Sequence, residues 1–153
     1  MIEQIVSGGQ TGVDRAALDA ALALGRPCGG WCPRGRRADD GTIPARYPLR
    51  ETPNVDYEER TEWNVRDSDG TLVLYVPPMS GGTGLTRLLA ARLSKPCLTV
   101  DLDAEPAPAR VRAWIEDAGI RTLNVAGPRE RLRPGVYDKA SAFLQRLLDP
   151  SPL

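Results

Sequence analysis

The sequence predicts an α/β domain of three layers, helices on both faces of a mostly parallel sheet. Two observations carry that prediction. Short apolar runs alternate with helical periodicity along the chain, and two glycine turns, SGGQTGVD at 7–14 and SGGTGLT at 80–86, each follow an apolar run and open a helix. A length of 153 residues is that of one compact domain, so residues 1–153 read as a single ligand-binding unit.

The first apolar run, Ile2 to Val6, enters the first glycine turn, and Asp14 to Leu24 follows as an Ala/Leu-rich helix ending at Gly25. A second short strand is expected around Pro27 to Trp31. Residues 33–57, dense in Pro, Gly, Arg and Asp, read as a long loop of functional character. Thr61 to Arg66 reads as a short helix capped by Thr61, and TLVLYV at 71–76 as a buried strand stopped by Pro77 and Pro78. The second glycine turn opens a helix over Leu85 to Leu93. CLTV at 97–100 is the next strand, Ala107 to Ala118 a helix, TLNVAG at 122–127 the last strand and Val136 to Leu148 the closing helix. In open sheets of this kind ligands sit beyond the carboxyl ends of the strands, where both glycine turns and the GPR turn at 127–129 must lie.

Composition narrows the function. Twenty basic residues balance twenty acidic ones, so no global field draws the chain to nucleic acid or anionic membranes. All the basic residues except Lys95 and Lys139 are Arg, which suits bidentate anion recognition but also follows from a GC-rich genome. Cys28, Cys32 and Cys97 cannot all pair within one chain, and no leading apolar segment has signal-peptide form, so a reducing cytoplasm is expected. With no histidine in the chain, a zinc site is not expected, and Ser-His and Cys-His nucleophile systems are excluded. No apolar run approaches the roughly 20 residues that cross a bilayer.

The glycine turns carry the functional signal. Gly8, Gly9 and Gly12 shape the first, while Gln10 and Thr11 offer side-chain hydrogen bonds; Asp14 reads either as a ligand contact or as a first-turn acid favoured by the helix dipole. Gly81, Gly82, Thr83 and Gly84 form the second. A helix N-terminus after each turn offers unpaired N–H donors, so the pair suggests an elongated anionic ligand or one with separated anionic ends. Neither turn is G-x-G-x-x-G or a P-loop, which leaves ordinary NAD binding and NTP hydrolysis unsupported. Arg34, within WCPRG at 31–35, is a candidate anion contact, and Asn124, Gly127 and Arg129 follow the last strand at the same sheet edge. Asp67 and Asp69 are candidate magnesium ligands beside phosphates, although Asp-Ser-Asp-Gly is also turn chemistry and that reading is preferred. Cys32 is not read as a nucleophile.

SGGQTGVDRAALDAAL at 7–22, GGWCPRGRRADDG at 29–41, TEWNVRDSDGTLVL at 61–74, SGGTGLT at 80–86 and LNVAGPRER at 123–131 together resemble the molybdenum-cofactor carrier protein family. The likeness spans nearly the whole chain. That family looks like a branch of the Rossmann-like group that includes the lysine-decarboxylase-like phosphoribohydrolases. The resemblance implies binding of the molybdenum cofactor, a pterin with a terminal phosphate and a dithiolene-bound molybdenum oxo centre, by a homo-oligomer that meets molybdoenzymes or cofactor-synthesis proteins. The hydrolases carry P-G-G-x-G-T-x-x-E, in which the glutamate serves glycosidic hydrolysis of a nucleoside monophosphate. Leu85 stands here for the Thr and Leu88 for the Glu, and leucine supplies no proton. The departure favours a binding protein over a phosphoribohydrolase-like enzyme or a nucleotide sensor, the two alternatives.

Overall fold

A computed structural model describes residues 2–149, so the two ends of the expected 1–153 unit lie outside the described residues. Five parallel strands form the main sheet: β1 (Gln4–Val6), β2 (Cys28–Gly29), β7 (Gly70–Tyr75), β8 (Cys97–Asp101) and β9 (Thr122–Ala126). The connecting helices are α1 (Val13–Ala23), α2 (Tyr57–Arg66), α3 (Gly81–Arg92), α4 (Pro108–Asp117) and α5 (Val136–Leu148). The fold is the expected three-layer α/β/α arrangement. Strand alternation divides the core by face. Leu72 and Leu74 of β7 join Ile5, Leu123 and Val125 in a cluster closed by α1, α4 and α5, whereas Asn124 Nδ2 donates to Thr71 Oγ1 (3.2 Å) in the polar pair between β9 and β7.

The strands lie in the order β2-β1-β9-β7-β8. If β9 and α5 were moved to the front of the chain, that order would read 3-2-1-4-5, the start of the Rossmann order, so the sheet is a circular permutation of it. From β9 the chain would run outward through β1 and β2, then cross to β7 and β8. The switch point, where a crevice opens beyond the strand ends, therefore falls between β9 and β7.

Residues 33–57 are not one open loop. Trp31–Cys32 (β3) pairs with Arg50–Glu51 (β6), and Arg37–Ala38 (β4) with Gly41–Thr42 (β5). Leu18 of α1, Cys32, Ala38, Ile43, Tyr47 and Leu49 make a second small core beneath them. Arg36 holds the segment from inside, donating to the carbonyls of Ile43 (3.0 Å), Pro44 (2.7 Å), Tyr47 (2.9 Å) and Leu49 (3.3 Å).

Two helices start earlier than expected. Asp56, not Thr61, is the N-cap residue of α2, and the Thr61 hydroxyl donates back to the Tyr57 carbonyl inside the helix (3.0 Å). The added turn holds Glu58 and Glu59, acids suited to the positive end of a helix dipole. Glycines 81, 82 and 84 belong to α3 itself, because Ser80 caps that helix, its hydroxyl accepting from Thr83 N–H at 3.4 Å.

Candidate anion-binding cleft

At the switch point lies a cleft of about 750 Å³, within the range of small-molecule sites. The turn after β1 supplies Gln10 and Asp14, the N-terminus of α3 supplies Ser80 to Thr83, and the turn after β9 supplies Gly127, Pro128 and Arg129. Arg37, Tyr57 and Arg60 complete the basic wall, and Asp56 and Glu58, at the start of α2, place carboxylates at the lip shared with a neighbouring acidic groove.

The two glycine turns differ in kind. In the first, four N–H groups are engaged by the protein itself: Gly9 donates to Ser7 Oγ (3.3 Å), Gln10 to Asp14 Oδ2 (3.3 Å), Thr11 to Gln10 Oε1 (2.9 Å) and Val13 to the Pro128 carbonyl (3.3 Å). Gly12, at φ +82°, brings the turn against the β9–α5 connection, where a Cβ would stand 2.4 Å from the Pro128 carbonyl oxygen. Thr11 Oγ1 accepts from Glu130 N–H at 3.3 Å and is outside the cleft lining. The first turn is thus a brace that presents two side chains, Gln10 and Asp14.

In the second turn, Gly81 and Gly82 line the cleft and a Cβ at either would meet nothing within 4 Å. As the first residues of α3, their N–H groups have no carbonyl four residues back within the helix. Backbone donors and open space therefore coincide at the positive end of a helix dipole. Gly84 lies one step deeper, with its N–H donating to the Ser80 carbonyl at 2.9 Å.

Asp14 is 3% exposed, with Arg60 Nη1 at 3.6 Å from its Oδ2. Burial pushes its carboxyl above the ordinary value, opposed by the charge of Arg60, the Gln10 N–H, and the charges of Arg15 and Arg129. Gly8 leaves room for this pair, since a Cβ there would stand 2.7 Å from Arg60 Nη1 and 2.9 Å from Asp14 Oδ2. Around the Tyr57 ring gather three guanidinium groups, those of Arg37 at 4.3 Å, Arg129 at 4.9 Å and Arg60 at 5.3 Å from its centroid. Arg129 also pairs with Asp39 at 3.0 Å.

Gln10, Asp14, Gly81, Gly82, Thr83, Gly127 and Arg129 of the sequence-derived candidates line this cleft. Arg34 does not; it is exposed, with its N–H on the Asn54 carbonyl, and Arg37 occupies the wall instead. Asn124 is 3% exposed and engaged with Thr71 inside the sheet. Asp69 accepts the Thr122 and Arg121 N–H groups at 2.8 and 3.0 Å, and Asp67 pairs with Arg66 and accepts from Trp31 Nε1, so both act as local ties. Cys32 is fully buried, and burial pushes its thiol up despite the nearby Arg36. Leu88 is half-exposed on α3, outside the cleft lining. Sequence reasoning missed Tyr57 and Arg60. Asp56 and Glu59 were the available signal, a D-x-x-E helix start that carries both residues into a helix facing the cleft.

The permuted strand order and the cleft at its switch point define a Rossmann-like α/β domain with a candidate ligand site at the carboxyl edge of the sheet. The chain belongs to the circularly permutated YpsA SLOG family, whose model matches residues 5–148. It is also similar to a protein of Syntrophus aciditrophicus SB named "putative molybdenum carrier protein", known from a crystal structure at 1.45 Å resolution. The two share 45% sequence identity and superpose with a TM-score of 0.93, over 96% of this chain and 95% of that one. No curated protein matches the chain.

Proposed function

We propose that this chain binds and carries the molybdenum cofactor, or a closely related phosphorylated pterin or nucleotide, in the cleft between β9 and β7. The supporting observation is the N-terminus of α3, where Gly81 and Gly82 line the cleft, carry N–H groups with no partner four residues back in the helix, and leave the space at their Cβ positions open. A terminal phosphate seats there on N–H donors and the helix dipole. Asp56 and Glu58 accept hydrogen bonds from the amino groups of a pterin or purine ring, and the arginine wall balances remaining negative charge. No cysteine is among the cleft-lining residues, so a bound molybdenum would rely on its dithiolene and oxo ligands there. As a carrier the chain works as a homo-oligomer in the cytoplasm, passing the cofactor between synthesis proteins and molybdoenzymes. Among the described residues no helix is long and apolar enough to cross a membrane, and a small-molecule cargo fits that setting.

At the motif position of the hydrolase glutamate the chain carries Leu88, which lies outside the cleft lining, and the chain is therefore read as holding a ligand rather than cleaving it. The test is mass spectrometry for a bound pterin together with metal analysis of the purified protein, followed by titration with supplied cofactor. Pterin and molybdenum are expected to travel with the protein; no binding of supplied cofactor overturns the reading. Incubation with nucleoside monophosphates is expected to release no free base, and release would assign the chain to the phosphoribohydrolases.

A further inference from the structure

Gln10 is 5% exposed, and its Oε1 accepts two backbone N–H groups, those of Thr11 and Asp39, each at 2.9 Å. Those two donors fix which way the amide points. Its Nε2 is left buried with no partner among the described residues, as is the Nε of Arg60. A buried donor without an acceptor costs about 1–3 kcal/mol, so two on one cleft wall mark a place where an acceptor belongs. The side of the cleft at Tyr57 favours an anion. Of the three guanidinium groups around that ring, Arg60 pairs with Asp14 and Arg129 with Asp39, Arg37 has no ion-pair partner among the described residues and donates to the Val55 carbonyl at 2.9 Å, and Asp56 and Glu58 stay at the lip shared with the acidic groove.

Gln10 follows β1 and the α3 terminus follows β7, with β9 lying between, so the two belong to strands about 10 Å apart in the sheet. We propose that Gln10 Nε2, Arg37, Arg60 and Arg129 form a second anion subsite for a tetrahedral oxyanion group, distinct from the one at the α3 N-terminus. The inference rests on the cleft being the ligand site and adds that its ligand is anionic at both ends. A phosphate ester and a molybdenum oxo group share the chemistry this subsite accepts.

The test is equilibrium dialysis of the whole chain against labelled inorganic phosphate and, separately, labelled molybdate. Two anions per chain are expected. Gln10→Glu keeps the acceptor for Thr11 and Asp39 but replaces the free donor with a negative charge, and should weaken one anion about tenfold or more while sparing the other. Arg37→Met, at an exposed residue, should weaken the same anion should Gln10→Glu prove unstable. Gly82→Val should remove the other anion. Preference for molybdate at the Gln10 subsite supports a metal oxo end, and preference for phosphate a second phosphoryl group. A single anion, removed by Gly82→Val and indifferent to Gln10→Glu and Arg37→Met, overturns the second subsite and leaves the cleft reading standing. No anion bound in the wild type overturns both.

Discussion

Replacing Gly12 and Gly82 separately by alanine separates the glycine that makes the fold from the one that makes the site. At Gly12 the backbone has φ +82°, and a Cβ would lie 2.4 Å from the Pro128 carbonyl oxygen, 2.7 Å from the Glu130 nitrogen and 2.9 Å from the Arg129 carbonyl carbon. All three neighbours are backbone, so none can swing aside. Left-handed strain costs about 1–2 kcal/mol, and overpacking a close contact costs about 1–3 kcal/mol. Alanine recovers up to about 1 kcal/mol by restricting the unfolded chain, which leaves a net loss of about 1–5 kcal/mol. For a domain of this size each kcal/mol lowers Tm by about 2–4 °C. At Gly82 the φ is not positive and a Cβ would meet no atom within 4 Å, so alanine there should leave stability unchanged or raise it by up to about 1 kcal/mol. Urea denaturation followed by tryptophan fluorescence measures both. Equal stability of Gly12→Ala and the wild type, or a loss at Gly82→Ala as large as at Gly12→Ala, would show that the Gly12 contact with the β9–α5 connection does not govern the fold.

Two further perturbations probe how the sheet and helices are tied. Tyr137 donates to Asp19 at 2.5 Å, and burial, followed by that hydrogen bond, pushes its phenol up to about 12. The folded value is the raised one, so the tie's contribution is complete below pH 10 and is lost as pH rises through about 12. Tyrosinate absorbance should show a late-titrating group that Tyr137→Phe removes; an unchanged titration would count against the tie. Asp69 is held below the usual carboxylate range by the Thr122 and Arg121 N–H groups, so its contribution is present above its ordinary value of 3.8 and lost as pH falls through the lowered one. Asp69→Ala should cost about 1 kcal/mol at neutral pH, a figure discounted because the side chain is exposed, and should soften the acid limb of a stability–pH profile. A variant with the wild-type acid limb would show that the carboxylate does not anchor β9.

Periodicity made the main strands and helices legible, because each is encoded by near neighbours: α5 runs over Val136–Leu148, the interval its apolar face indicates. Strand order was not legible. Placing β9 between β1 and β7 depends on contacts more than fifty residues apart, such as Asn124 with Thr71, and no local pattern carries them. The site was readable in part for a related reason. The glycine turns announced themselves, but whether an N–H faces a ligand or its own loop depends on partners such as Pro128, brought in from the far end of the chain. Arg34 and Arg37 were indistinguishable by composition, and the β4–β5 hairpin selects Arg37 for the cleft. Arg60 was hidden because α2 is polar and starts a turn before its expected cap.

Titration of the purified chain with the molybdenum cofactor, in the wild type and in Gly82→Val, decides whether the α3 N-terminus holds that ligand. Saturable binding is expected, falling at least about tenfold in Gly82→Val while the denaturation midpoint of that variant stays at the wild-type value. Absence of saturable binding, or equal affinity in the two proteins, would contradict it.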